Sequence, residues 1–139
     1  VTVVDICGGT LDAVRGRLGT ARAAVQFVER DVLSCEPDRT FDVWHDRALF
    51  HFLTSAVERR RYVSVASRVV SEQGVIVLAT FAEDGPEHCS GLLVNRYSSE
   101  KLAQEFASLS LVHSERVEHV TPGGGVQPFT YAVLRRSVA

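Results

Sequence analysis

The sequence contains no methionine and a single lysine, Lys101. It therefore lacks an ordinary initiator residue, and it opens directly on an apolar run, Val1-Thr2-Val3-Val4. Either the start is non-standard or the chain begins inside a larger domain. No apolar stretch approaches the roughly 20 residues of a membrane span, and nothing at the start reads as a signal peptide. Neither charge sign dominates: 15 Lys and Arg stand against 17 Asp and Glu, a net charge of −2. That balance carries no overall footprint of a nucleic-acid or membrane-surface binder. Cysteine is scarce, odd in number and widely spaced (Cys7, Cys35, Cys89), with no C-x-x-C. Such usage argues against a disulfide scaffold or zinc finger and fits a reducing cytoplasm. The absence of a G-x-G-x-x-G before the first helix weakens any nicotinamide-dependent oxidoreductase.

What remains is an ordinary globule of 139 residues, 45% apolar, and a length that suits one domain. Val1 to Ile6, β-branched and bounded by Gly8-Gly9, predicts a buried strand. Leu11, Val14 and Leu18 follow at helical spacing, with Thr10 as N-cap and Gly19 as the stop. Ala23 to Val28 and Phe41 to His45 predict two more strands, separated by a turn at Pro37-Asp38-Arg39. Val57 to Ser71 predicts a helix with Val63, Ala66 and Val70 on one face and Gly74 closing it. Gly74 to Phe81, GVIVLATF, has the continuous apolar character of a strand buried on both faces. After a polar loop at Glu83 to Gly91, Ser98 caps a helix to Ala107. Two last strands, Leu109 to His119 and Phe129 to Leu134, flank a glycine-rich turn. The expected fold is α/β: a Rossmann-like, open, mostly parallel sheet with an antiparallel C-terminal hairpin.

In open α/β sheets ligands bind outside the carboxyl ends of the strands. Those ends carry Asp5, Asp31, and then His45 with Asp46. Any one polar residue there is unremarkable, because loops are polar. Three consecutive strands ending this way point to a nucleotide-type ligand, since a carboxylate at a strand end can accept both hydroxyls of a ribose.

Taken together, VTVVDI, ERDV, FDVWHDRALFHFL, GVIVLATF and the tail PFTYAVLRR resemble the class I S-adenosylmethionine-dependent methyltransferases along nearly the whole chain. The resemblance implies S-adenosylmethionine as cofactor and a small-molecule acceptor. It matches Asp5 to the acid that binds the ribose hydroxyls and Ile6 to the residue packing on the adenine. It matches Asp31 to the acid receiving the adenine amino group, with Val32 offering its backbone N–H. His45 and Asp46 fall where the methionine part of the cofactor meets the incoming nucleophile, and are the expected catalytic residues. His51, Cys89, Tyr97 and Gln127 are expected on the acceptor side. Of these, His51 sits inside ALFHFL, where a helix-facing histidine is more often structural. No recognisable spacing of Cys and His supports a metal site.

One segment reads two ways. VVDICGGT also looks like the family's first strand and glycine-rich loop. Only one strand then lies between it and FDVWHD, whereas strand count and crossover length favour the family's second strand. Under that reading the strand that lies between the second and fourth is missing, together with the loop that holds the methionine end. The chain is then expected to be the C-terminal part of a longer methyltransferase domain with weak or no activity by itself. Its open sheet edges would recruit other chains. The competing expectation is a non-catalytic α/β module that keeps the fold and binds no cofactor.

Overall fold

The computed structural model describes residues 1–136. It resolves into two compact units, Val1–Pro37 and Asp38–Ala139, each built around its own sheet.

In the first unit β1 (Thr2–Asp5) and β2 (Gln26–Glu29) pair in parallel, with Val3 opposite Phe27 and Asp5 opposite Glu29. Helix α1 (Gly8–Leu18) and a 3₁₀ segment (Gly19–Ala24) make the crossover. The helix starts earlier than its sequence suggests. Asp5 Oδ1 accepts from the Cys7 N–H at 2.7 Å, and the Cys7 carbonyl accepts from Thr10 and Leu11. Cys7, not Thr10, is therefore the N-cap, and Gly8-Gly9 form the first helical turn rather than a loop. Gly19 ends the helix at φ 52°, a conformation that favours glycine. The 3₁₀ segment takes up residues expected to begin the next strand, so β2 starts only at Gln26.

In the second unit β3 (Phe41–Arg47), β4 (Val70–Phe81), β7 (Leu109–Val120) and β8 (Val126–Arg136) form a sheet in the order β3-β4-β8-β7. β3 and β4 are parallel, while β8 is antiparallel to both β4 and β7. A small hairpin, β5 (His88–Cys89) and β6 (Leu92–Leu93), lies in the loop after β4. Its tip, Ser90 at φ 51° and Gly91 at φ 80°, has the paired positive angles of a tight two-residue hairpin turn.

Helix α2 (Ala56–Val69) buries Tyr62, Val65, Ala66 and Val69, spaced i, i+3, i+4, i+7. Of the expected stripe, Ala66 belongs to the buried face, Val70 is buried but as the first residue of β4, and Val63 lies at the margin. The helix does not run on to Gly74: Val70 turns extended (φ −80°, ψ 131°) and opens β4 directly. Arg136 caps the change of direction by donating to the Ser67 and Val70 carbonyls at 2.6 and 3.4 Å. Helix α3 (Ser99–Glu105) is capped by the Ser98 hydroxyl, which accepts from the Lys101 N–H. Arg59 ties α2 to α3 through Glu105 at 2.7 Å.

The core lies between these helices and one face of the sheet. Ile76, Leu78, Ala132 and Leu134 on the sheet are fully buried, as are Phe50, Tyr62, Leu102 and Phe106. Phe50 is the hub, with ring centroids 5.0 Å from Tyr62, 5.6 Å from Tyr97 and 5.4 Å from Phe106.

Gly74 is a point of close packing rather than a helix stop. A Cβ there would come within 2.7 Å of both the Asp42 carbonyl and Val70 Cγ1. Gly74→Ala is therefore expected to lower stability by about 1–3 kcal/mol through overpacking, read as a drop in thermal midpoint with the fold retained.

Candidate functional site

Because β1 and β2 are parallel, their carboxyl ends share one edge, and Asp5 and Asp31 follow those ends. The Asp5 carbonyl accepts from Arg30 N at 2.9 Å, tying the two exits together. Oδ1 of Asp5 holds the Cys7 N–H at 2.7 Å. Ile6 between them is 71% exposed, an apolar side chain left bare. Asp31 caps a short 3₁₀ turn (Val32–Ser34), accepting from Leu33 N at 2.9 Å, and is otherwise exposed. The start of α1 also packs closely on β2: a Cβ at Gly8 would lie 2.5 Å from a Glu29 carboxylate oxygen. At the N-cap, hydrogen bonds from Thr10 and Gly9 hold the exposed Cys7 thiol below its ordinary pKa. The residues matched to the adenosine half of the cofactor thus offer two carboxylates and a bare apolar side chain on one short edge.

At the end of β3 the two residues expected to act in catalysis are not brought together. Strand alternation puts His45 and Asp46 on opposite faces. His45 is exposed, whereas Asp46 is 7% exposed and turned toward the helices. Its Oδ1 accepts from Leu49 N at 2.9 Å, and its Oδ2 accepts from Phe50 N at 3.0 Å and from the Tyr62 hydroxyl. Tyr62 in turn accepts from Trp44 Nε1 at 2.8 Å. Burial raises the Asp46 pKa above its ordinary value, and these donors oppose the rise. Burial likewise pushes the Tyr62 hydroxyl well up. The carboxylate locks the exit from β3, where Ala48 takes a positive φ of 67°. Tyr62 has no counterpart among the expected site residues, and the apolar face expected for α2 did not include it.

Of the expected acceptor-side residues, two are buried. His51 is 0% exposed, packed edge-on against Phe52 at 4.7 Å and tilted against Phe81 at 4.8 Å. Its Nδ1 accepts from Phe81 N at 3.3 Å, which leaves the proton on Nε2, and burial lowers its pKa to about 4. The imidazole is a neutral structural group at physiological pH, and its carbonyl anchors the following loop through Asn95 N at 2.8 Å. Tyr97 is 5% exposed. Its hydroxyl accepts from Asn95 Nδ2 at 3.2 Å, and its carbonyl accepts from Thr130 Oγ1 at 2.7 Å. Cys89, half-buried, packs on the cluster of Ala79, Phe81, Val94 and Phe129. Gln127, partly exposed, pairs with His119 near the β7–β8 turn.

An open groove of about 540 Å³ follows β4, lined by Asp84, Tyr97, Ser98, Ser114, Arg116 and Thr130 among others. Arg116 bridges Asp84 at 2.8 Å and Glu118 at 3.1 Å on its wall. Cys89, Gln127 and His51 do not line it. Among the described residues, no group of three His, Cys, Asp or Glu is placed to hold a metal ion, and no helix is long and apolar enough to cross a membrane.

No family model matches the chain, and no curated protein does. Solved structures do. The N-methyltransferase NodS from Bradyrhizobium japonicum, bound to S-adenosyl-L-homocysteine, is similar over 99% of this chain and 66% of its own, with a TM-score of 0.75 at 13% identity. The 1,6-didemethyltoxoflavin-N1-methyltransferase of Burkholderia thailandensis is similar over 99% of this chain and 61% of its own, with a TM-score of 0.75 at 20% identity. The glycopeptide N-methyltransferase MtfA, complexed with S-adenosyl-L-methionine, gives a TM-score of 0.72 at 12% identity, over 99% of this chain and 77% of its own. The chain thus spans 66% and 61% of the length of the first two. With parallel β1–β2, parallel β3–β4 and an antiparallel β8–β7 tail, the chain has the fold of the class I S-adenosylmethionine-dependent methyltransferases.

Proposed function

We propose that this chain serves methyl transfer from S-adenosylmethionine to a small-molecule acceptor. The observation that carries the reading is the carboxylate pair, Asp5 and Asp31, at one edge of β1 and β2 in a chain of methyltransferase fold. When bound, S-adenosylmethionine supplies an electrophilic methyl group on a sulfonium centre. Asp5 accepts from the ribose hydroxyls with the oxygen that Cys7 leaves, and Ile6 lies against the adenine. Asp31 accepts from the adenine amino group, and the Val32 N–H donates beside it.

Displacement at a sulfonium carbon needs alignment and a dry, preorganised pocket more than it needs acid or base. His45, exposed at the end of β3, contacts the methionine part of the cofactor and takes a proton where the acceptor must lose one. Asp46 acts as a positioning residue, because all its contacts hold the β3 exit in place. On the acceptor side Cys89 and Gln127 are the accessible contacts, while His51 and Tyr97 shape the wall from beneath. The acceptors named for the solved relatives, 1,6-didemethyltoxoflavin and a glycopeptide, support a small-molecule or peptide-like acceptor. Three cysteines held in no disulfide fit a reducing, cytoplasmic setting.

A second reading, a module that keeps the fold without binding cofactor, is favoured by one observation. Gly8-Gly9 open α1 as helix, so they supply no loop for the methionine end. Calorimetric titration of the full-length gene product with S-adenosylhomocysteine separates the two. Micromolar binding is the expected result. No heat at millimolar ligand, with the protein folded by circular dichroism, would sink the enzyme reading in favour of the second.

A further inference from the structure

β7 ends the four-stranded sheet: it pairs with β8 on one side and, among the described residues, with no strand on the other. Every second residue of such an edge strand points its N–H and C=O away from the sheet, a template for another strand. Edges are normally blunted by proline, by bulges or by charge. β7 contains no proline, and its register shift, between Leu111 and His113, falls near its start. From His113 to Val120 the ladder is regular. Charge is the remaining guard, carried by Glu115, Arg116 and Glu118, all exposed.

These charges oppose most pairings of the edge with itself and permit one. Side chains alternate along the strand, so Glu115, Val117 and His119 share one face, and Ser114, Arg116, Glu118 and Val120 the other. Two copies of β7 paired antiparallel about a two-fold axis make one continuous sheet, in which opposed residues share a face. Centring the axis on Glu115, Arg116 or Glu118 sets that charge against its own copy, which destabilises the pair. Centring it on Val117 sets valine against valine, Arg116 against Glu118 of the second copy, and Glu115 against His119. Ser114 then meets Val120, so this register uses the regular run nearly end to end. Arg116 already bridges Asp84 and Glu118 of its own chain at 2.8 and 3.1 Å. In the paired form Arg116 and Glu118 of both copies alternate in sign around the axis, so those bridges are kept and the network is extended.

We infer that the free edge of β7 pairs antiparallel with β7 of a second copy, centred on Val117, giving a two-fold dimer with one sheet running through both copies. Ser114 and Arg116 also line the groove that follows β4. The pairing sets Val120 and Glu118 of the second copy beside them on the same face, so the dimer lengthens the wall of that groove. The inference is independent of cofactor binding.

One pair of strands buries little area, so the association is of the weak class, with a dissociation constant on the order of 10–100 μM. Sedimentation equilibrium of the full-length protein across that range should show a monomer–dimer equilibrium. Arg116→Glu sets glutamate against Glu118 of the other copy, and Glu118→Arg sets arginine against Arg116. Each variant alone should therefore dimerise about tenfold more weakly or worse. Mixed in equal amounts, the two should associate with near wild-type affinity, because both opposed pairs of the mixed dimer again join glutamate to arginine. Recovery on mixing also shows that both variants fold. In the wild type, amide exchange from Ser114 to Val120 should slow as concentration rises, while that of α2 stays constant. A protein that is monomeric throughout the range, a dimer that survives in either variant, or folded variants that fail to associate on mixing would overturn the inference.

Discussion

Asp46→Ala is expected to lower the unfolding free energy by roughly 2–4 kcal/mol at pH 5, because it leaves three donors without an acceptor in the core. Those donors are the N–H groups of Leu49 and Phe50 and the hydroxyl of Tyr62. The loss should itself depend on pH. Burial raises the Asp46 pKa in the folded chain, so folding favours its protonated form. A carboxyl of this kind gives its full contribution below the unfolded value, about 3.9, and loses part of it as pH rises through the folded value. The gap between wild type and Asp46→Ala should therefore be widest at low pH and narrow toward pH 8. His51 shifts the other way: lowered to about 4 by burial, it costs stability as pH falls below the ordinary histidine range. That contribution is common to both proteins and cancels in their difference. Urea denaturation from pH 4 to 8 with unchanged m-values measures the gap. A gap that widens with pH would show that the three donors outweigh burial and hold the carboxyl down.

How far this arrangement could be read in advance depends on the residue. The strand-end positions of Asp5 and Asp31 were legible from the sequence pattern: β1 stops at Asp5, and Asp31 follows shortly after β2. The core of β4 was legible as GVIVLATF, but its start was not. The helical pattern of α2 runs apolar into Val69-Val70, and nothing local says that Val70 is already extended. Gly74 looked like a helix stop, yet its role is to let the Asp42 carbonyl approach. The opposite orientations of His45 and Asp46 follow from the two-residue period of a strand, and so were available in principle. What the sequence hid was the destination: only the packing of α2 on β3 brings Tyr62 to Asp46. The expectation that β4 is buried on both faces holds for Ile76, Leu78 and Phe81 and fails for Val75 and Val77. Local pattern reports what a face is made for, and only the fold shows what meets it.

Asp5→Ala should raise the dissociation constant for S-adenosylhomocysteine by about 100-fold, the largest effect expected of any single change at the proposed cofactor edge. Two hydrogen bonds from ribose hydroxyls to a charged acceptor contribute about 1.5 kcal/mol each, and their joint loss corresponds to about two powers of ten. The structure supplies a control. Asp5 Oδ1 also holds the Cys7 N–H at the start of α1, so alanine disturbs the turn as well as the ligand. Asp5→Asn keeps a carbonyl oxygen for Cys7 and removes the charge and one acceptor. It should weaken binding by at least tenfold while leaving the thermal midpoint of the free protein unchanged. Asp31→Ala, which removes one exposed acceptor beside the adenine, should cost no more than about tenfold, since one hydrogen bond to a charged group is at stake. The order Asp5→Ala, Asp5→Asn, Asp31→Ala in decreasing effect is specific to a ribose held by Asp5 and an adenine held near Asp31. If S-adenosylhomocysteine binds the wild-type chain and Asp5→Asn binds it equally well, the ribose is held elsewhere.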